Sequence, residues 1–146
     1  MNLPIKNLMT IALLASLSGT ASAETKLTGP YLGQKAPGLT AEVFAPNIIS
    51  TKGWEYGVVF APNMKEMYMV REVNADTKPE QQFVVYEETN GTWHERVIGD
   101  RYGTPTLSRD GQTMFFGRAY KERTPHGWSE PKRLGPDFED IRIMRV

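Results

Sequence analysis

Two short segments of this chain put an aromatic ring beside a charge: Trp54-Glu55-Tyr56-Gly57 and Arg101-Tyr102-Gly103, the Tyr-Gly pair recurring at an offset of 46. An acidic pair, Glu139-Asp140, precedes the last stretch of the chain. A ring covers the apolar face of a sugar or a peptide side chain while a neighbouring charge holds its polar end. Trp54, Glu55, Tyr56, Arg101, Tyr102, Glu139 and Asp140 are therefore the candidate ligand-binding residues. The Tyr-Gly pairs serve equally as packing and turn devices, and the sequence leaves both readings open.

Catalysis has no comparable footing. There is no Gly-x-Ser-x-Gly turn, no phosphate-cradling glycine loop and no paired-histidine metal site, so no catalytic residue, metal ligand or cofactor is assigned. Ser108 stands in a turn whose repeat counterpart is Ala61, which argues against a nucleophile. His94 and His126 are the only histidines and read as solvated or structural. Arg71 and Arg118 close equivalent strands, where a salt bridge is the simpler role and a ring of stacked basic positions the other. Trp93 and Trp128 occupy matched positions and read as packing at a sheet rim rather than as a carbohydrate platform.

The elements that must position these residues come from a repeat. Residues 60–71 return as residues 107–118, shifted by 47, with Met67 on Met114, Tyr68 on Phe115 and Arg71 on Arg118. Such a period, carried by short strands and polar turns, is the signature of stacked β-units. In the first unit, strands are expected over 58–60, 67–70, 83–87 and 92–98, with Pro62-Asn63 and Asn90-Gly91 as turns. In the second they are expected over 104–107 and 113–117, ending at Gly127-Trp128-Ser129-Glu130-Pro131. About 12 extra residues around Ala75 to Pro79 read as a surface loop. Met67-Tyr68-Met69-Val70 and Phe83-Val84-Val85-Tyr86 are apolar at consecutive positions, so both faces of the sheet must be covered. A two-sheet sandwich would give cleaner alternation. No stretch keeps a helical period, and the mature chain reads as all-β.

Ala61-Pro62-Asn63-Met64-Lys65-Glu66-Met67-Tyr68 and Ser108-Arg109-Asp110-Gly111-Gln112-Thr113-Met114-Phe115 resemble the Ser-Pro-Asp-Gly-Lys repeat of TolB-like β-propellers, relatives of the WD-type propellers. The lead-in Tyr31-Leu32-Gly33-Gln34-Lys35-Ala36-Pro37-Gly38 and the segment from Gly127 to Gly135 are similar to that family as well. Met64 stands where the family's turn has glycine, and Arg109 where it has proline. Ser108 to Thr113 also resembles the aspartate box of sialidase propellers, but without the residue between Asp and Gly and without the closing Trp. The resemblance implies β-propeller blades, about two of four antiparallel strands each, in an exported bacterial protein with a binding or scaffolding habit. Its ligand or partner would sit at the channel-mouth loops, where the candidate residues lie. The alternative is a fragment of a propeller hydrolase or lyase acting on glycans or peptides. Propellers close with about four to eight blades, so a truncated ring or self-association is expected, with residues 42–44 as a lone strand closing the final blade.

The division expected is a signal peptide over 1–23, a lead-in with one closing strand over 24–55, blades over 56–100 and 101–136, and the start of a third over 137–146. Lys6, the apolar run 8–17 and Ala21-Ser22-Ala23 form an export signal, cleaved between Ala23 and Glu24. That run is too short for a membrane span, which takes about 20 residues. Removing Lys6 from 17 basic and 17 acidic side chains leaves a net charge near −1, which gives nucleic acid no electrostatic hold. With no cysteine, an exported chain relies on packing rather than disulfides, which fits a periplasmic or secreted setting. The expected partner is a protein or a small polar or carbohydrate ligand.

Overall fold

In the computed structural model, residues 27–74, 76, 78 and 80–143 are described. The expected export signal over 1–23, the first lead-in residues and the last three positions of the chain lie outside them. Two antiparallel sheets form the body. The first is a meander, β1 (Glu55–Phe60), β2 (Glu66–Val73), β3 (Glu80–Thr89) and β4 (Thr92–Asp100), in that order. The second is β5 (Thr106–Leu107), β6 (Thr113–Phe116), β7 (Ala119–Thr124) and an interrupted outer strand. That outer strand is two pieces on β7, β8 (Gly127–Trp128) and β9 (Lys132–Arg133), parted at Pro131, which has no N–H to give the ladder.

The consecutive apolar runs behave as their composition requires. Met67, Tyr68, Met69 and Val70 are each at most 2% exposed, as are Val84, Val85 and Tyr86. One face of the first sheet, carrying Tyr68, Val70, Phe83 and Val85, packs on Met114 and Phe116 of the second. The other face, carrying Met67, Met69, Val84, Tyr86 and Trp93, is covered by Leu32, Ala45 and Ile49 of the lead-in. Met114 and Phe116 are the repeat counterparts of Met67 and Met69. The second sheet therefore turns toward the first the same face that the first turns toward the lead-in.

The lead-in corrects two expectations. Residues 40–45 form no strand: Ala41, Glu42 and Val43 are exposed coil, and the chain then knots into a tight turn in which the Ala45 carbonyl accepts from the N–H groups of Ile48, Ile49 and Ser50. An extended segment needs a ladder partner, and here the apolar residues find burial on a sheet face instead of pairing at an edge. The segment caps the first sheet rather than closing a distant blade. The outer face of the second sheet is also less apolar than an open blade would be. Its Phe115 and Tyr120 rings, 6.4 Å apart, are flanked by a Glu122–Lys132 ion pair. Beyond Arg133 a single 3-10 turn, Pro136–Phe138, leads to coil through Ile143, with no strand among residues 137–143.

The extra residues of the first unit go mostly into strand rather than loop. β2 and β3 each run four residues past the Met69–Val84 pair before the 74–79 connection, whereas β6 and β7 are joined directly by Gly117 and Arg118. One short helical turn, Pro30–Gly33, adds to the β framework, and it is irregular: Tyr31 (φ 51°, ψ 43°) and Leu32 (φ 56°, ψ 35°) are left-handed.

The two repeat turns share one logic. In the second, Asp110 Oδ1 accepts from Ser108 Oγ (2.6 Å) and from the Gln112 N–H (3.0 Å), which holds its carboxyl below the usual range. In the first, Asn63 Oδ1 accepts from the Lys65 N–H (2.9 Å). Gly111 takes φ 69° and Met64, its counterpart, φ 57°. A side chain in that region costs about 1–2 kcal/mol, which glycine avoids at a smaller entropic cost. Met64 is 45% exposed and has little packing to lose. Met64→Gly is expected to raise stability by about 0.5–1 kcal/mol, read as a shift of the urea midpoint at unchanged m-value.

Candidate functional site

The end of the first sheet where β1 begins gathers four of the seven candidate residues. Tyr56 pairs with Val70 in the ladder and sends its ring toward the second sheet, where its hydroxyl donates to Gln81 Oε1 at 3.0 Å. Gln81 lies on β3, and its main-chain carbonyl accepts from the Arg101 N–H at 2.9 Å, fixing the chain as it leaves β4. The Arg101 guanidinium then lies 5.8 Å from the Tyr56 ring centroid, in cation–π range. Trp54 is 73% exposed, yet its carbonyl is tied to the Glu72 N–H at 2.8 Å, so the backbone under the indole is held. Gly53, Trp54, Glu55, Tyr56, Gln81 and Arg101 line a shallow cleft of about 620 Å³. A second hollow of about 680 Å³ shares Gln81 and Arg101 with it and brings in Glu80 and Asp100.

Glycine makes this end possible. Gly57 sits at a β-bulge with φ 64°, and a Cβ there would come within 2.8 Å of Thr104 Cγ2. The bulge lets the 101–105 connection press against β1 and brings Arg101 over Tyr56.

Within the cleft the charges are disposed unequally. Glu55 is turned back: its Oε1 accepts from the Thr51 N–H at 3.1 Å and from the Thr51 hydroxyl. Arg101 has no carboxylate in ion-pair reach among the described residues. The cleft thus offers an exposed indole, a tyrosine ring, a side-chain amide and a guanidinium free to take an acceptor. The chemistry of that set suits a polar ligand with an apolar face, and the cleft lining contains no nucleophile–base pair. Ser108, at the opposite end of its sheet, donates to Asp110 and accepts from the Thr113 N–H, so its hydroxyl serves the turn.

Three candidate residues lie elsewhere. Tyr102 does not repeat the placement of Tyr56: its ring packs edge-on against Phe116 at 5.7 Å and lines a separate hollow with Arg118 and Arg133. Glu139 contributes its main-chain carbonyl to the Arg118 guanidinium, and its side chain is exposed. Asp140 is exposed in the following turn. Arg71 and Arg118 also diverge, since Arg71 pairs with Glu95 at 2.7 Å. Trp93 and Trp128 both pack, the first on the lead-in and the second between the sheets. Gln81 escaped the sequence reading because a glutamine at a strand start carries no periodic or motif signal.

Two polar clusters brace the faces on either side. On the capped face the Tyr86 hydroxyl donates to Glu95 at 2.5 Å, and burial followed by that carboxylate pushes its pKa well up. Between the sheets Arg123 donates to both Glu66 oxygens (3.1 and 2.6 Å) and lies 4.2 Å from the Trp128 ring centroid. Tyr68 donates to Glu66 at 2.8 Å and accepts from Trp128 Nε1 at 3.1 Å; burial, then the Glu66 acceptor, pushes its pKa up to about 12.

Among the described residues no helix is long and apolar enough to cross a membrane. No family model matches the chain, and neither does any curated protein or solved structure. The class that the fold defines is an antiparallel β protein of two face-packed sheets.

Proposed function

We propose that this chain is a TolB-like, blade-type β-repeat module, exported to the periplasm or beyond, that binds a small polar or carbohydrate ligand, or a partner protein presenting one, in the Trp54–Tyr56–Gln81–Arg101 cleft. The observation that carries the reading is the convergence of an exposed indole, a hydrogen-bonded tyrosine and a carboxylate-free arginine at one sheet end. Matched faces in the two repeat units, Met67 and Met69 against Met114 and Phe116, support a blade arrangement. In a closed ring the lead-in would have to leave the first sheet so that another blade could cover Met67, Met69 and Val84. The export signal over 1–23 supports the compartment. Binding is favoured over hydrolysis because the cleft holds rings and donors without an activated nucleophile.

A panel of immobilised neutral and acidic oligosaccharides and short peptides tests this. The wild type is expected to retain at least one, and Trp54→Ala combined with Arg101→Ala should weaken it about 10–100-fold, on a cation–π and stacking loss of about 1–3 kcal/mol. No retained ligand, or a retained ligand indifferent to that double change, overturns the reading.

A further inference from the structure

Away from the cleft, on the capped side of the first sheet, the lead-in leaves a cavity of about 420 Å³. Its floor is three rings, Tyr31, Phe44 and Phe60, the last two edge to face at 6.4 Å. Its roof is the strap formed by residues 35–43, which contributes Pro37, Ala41 and Val43. Every strap residue is exposed, and among the described residues the strap makes no main-chain hydrogen bonds. Two of its apolar side chains lie open to water, Leu39 fully and Val43 at 70%.

Charge and strain narrow what the cavity suits. Lys35 and Glu42 on its rim answer each other at 3.8 Å and are both well exposed, so the interior holds no uncompensated charge. A charged guest would lose its hydration with nothing to replace it. Tyr31 is held in a left-handed conformation beside Leu32, which is fully buried and anchors the turn. Two consecutive L-residues in that region cost about 1–2 kcal/mol each, and strain of this kind gathers where a fold holds a side chain over a binding site. The volume falls within the range of about 300–1,000 Å³ usual for small-molecule sites. The unpaired strap N–H and C=O groups can satisfy one hydroxyl or carbonyl of a guest.

We propose that this cavity binds a small, uncharged, mainly apolar molecule carrying a ring, seated on Tyr31, Phe44 and Phe60 and covered by the strap. The site is separate from the Trp54 cleft and stands whether or not that cleft binds a ligand. Closing the strap on the guest buries Val43, an apolar side chain that is otherwise 70% exposed.

N-phenyl-1-naphthylamine, neutral and fluorescent in apolar surroundings, is the probe. The whole protein is expected to take it up saturably and one to one. Ala36→Trp and Ala41→Trp, both at exposed cavity-lining positions, should fill the space and weaken uptake at least about tenfold, with unchanged thermal unfolding. Trp54→Ala should leave uptake as it was. Absence of saturable uptake by the wild type, retention in both tryptophan variants, or loss in Trp54→Ala overturns the proposal. Amide NMR shifts on titrating the probe into the unaltered protein give a variant-free check: they should centre on Tyr31, Phe44 and the strap, and shifts centred elsewhere also overturn it.

Discussion

Trp93→Ala is expected to lower stability by about 3–5 kcal/mol, a large share of the roughly 5–15 kcal/mol of a typical domain. Trp93 is 5% exposed and sits where β4 meets the lead-in. Its indole N–H donates to the Gly29 carbonyl at 2.7 Å and its main-chain N–H to the Leu27 carbonyl at 2.8 Å. Thr28 bridges to Thr92 in the same short ladder. Truncation leaves a cavity between sheet and cap, and it strips the Gly29 carbonyl of its partner. With the cap loosened, Met67, Met69 and Val84 meet water, so the urea m-value should fall along with the midpoint. Trp128→Ala, at the matching repeat position, is expected to cost about half as much, because Trp128 is half-buried and Arg123 keeps its bidentate pair with Glu66. Equal losses at the two positions would show that the lead-in is not held through Trp93.

What could be read from the sequence follows from where periodicity carries information. The four strands of the first sheet were legible because both faces are buried, and consecutive apolar residues at 67–70 and 83–86 have no other use in an antiparallel ladder. The Met64 backbone was legible because its repeat partner is Gly111. The cap was not legible. Leu32, Ala45 and Ile49 are spaced irregularly among glycine, proline and polar residues, and they bury themselves through tight turns rather than through a period. Strand β7 carries no such signal, because Tyr120-Lys121-Glu122-Arg123 is one ring followed by three charges, which find their partners in an ion pair and a cation–π stack. Local composition singles out Trp54, Tyr56 and Arg101, and the fold brings these three to one cleft. Tyr102 was misplaced because the repeat breaks after it: β5 has two residues where β1 has six, and the ring folds onto Phe116 instead.

Above pH 10 the protein is expected to lose stability faster than its exposed tyrosines would require. In the folded state Tyr68 holds its proton up to about 12, and Tyr86 is also shifted upward, while the unfolded chain releases both near 10. The native state then binds more protons than the unfolded one in that window, so the stability that these hydroxyls supply is complete below pH 10. It declines as pH climbs toward their folded values. Each contributes a slope of up to about 1.4 kcal/mol per pH unit, and for Tyr68 the sum is about 2 kcal/mol once solvent screening near the hydroxyl is allowed for. Tyr68→Phe should cost about 1–2 kcal/mol at neutral pH, since Trp128 Nε1 loses its acceptor, yet show a shallower alkaline decline in urea midpoints between pH 9 and 12. Adding Tyr86→Phe should flatten it further, with Glu95 keeping its Arg71 pair. An unchanged slope in the double variant would sink this account. A phenylalanine at 68 would fill the same volume between the sheets, and Phe115 does stand at the equivalent position of the second unit. The hydroxyl's distinct work is to join Glu66 and Trp128 across the two sheets, a polar clamp that an apolar contact alone would let slide.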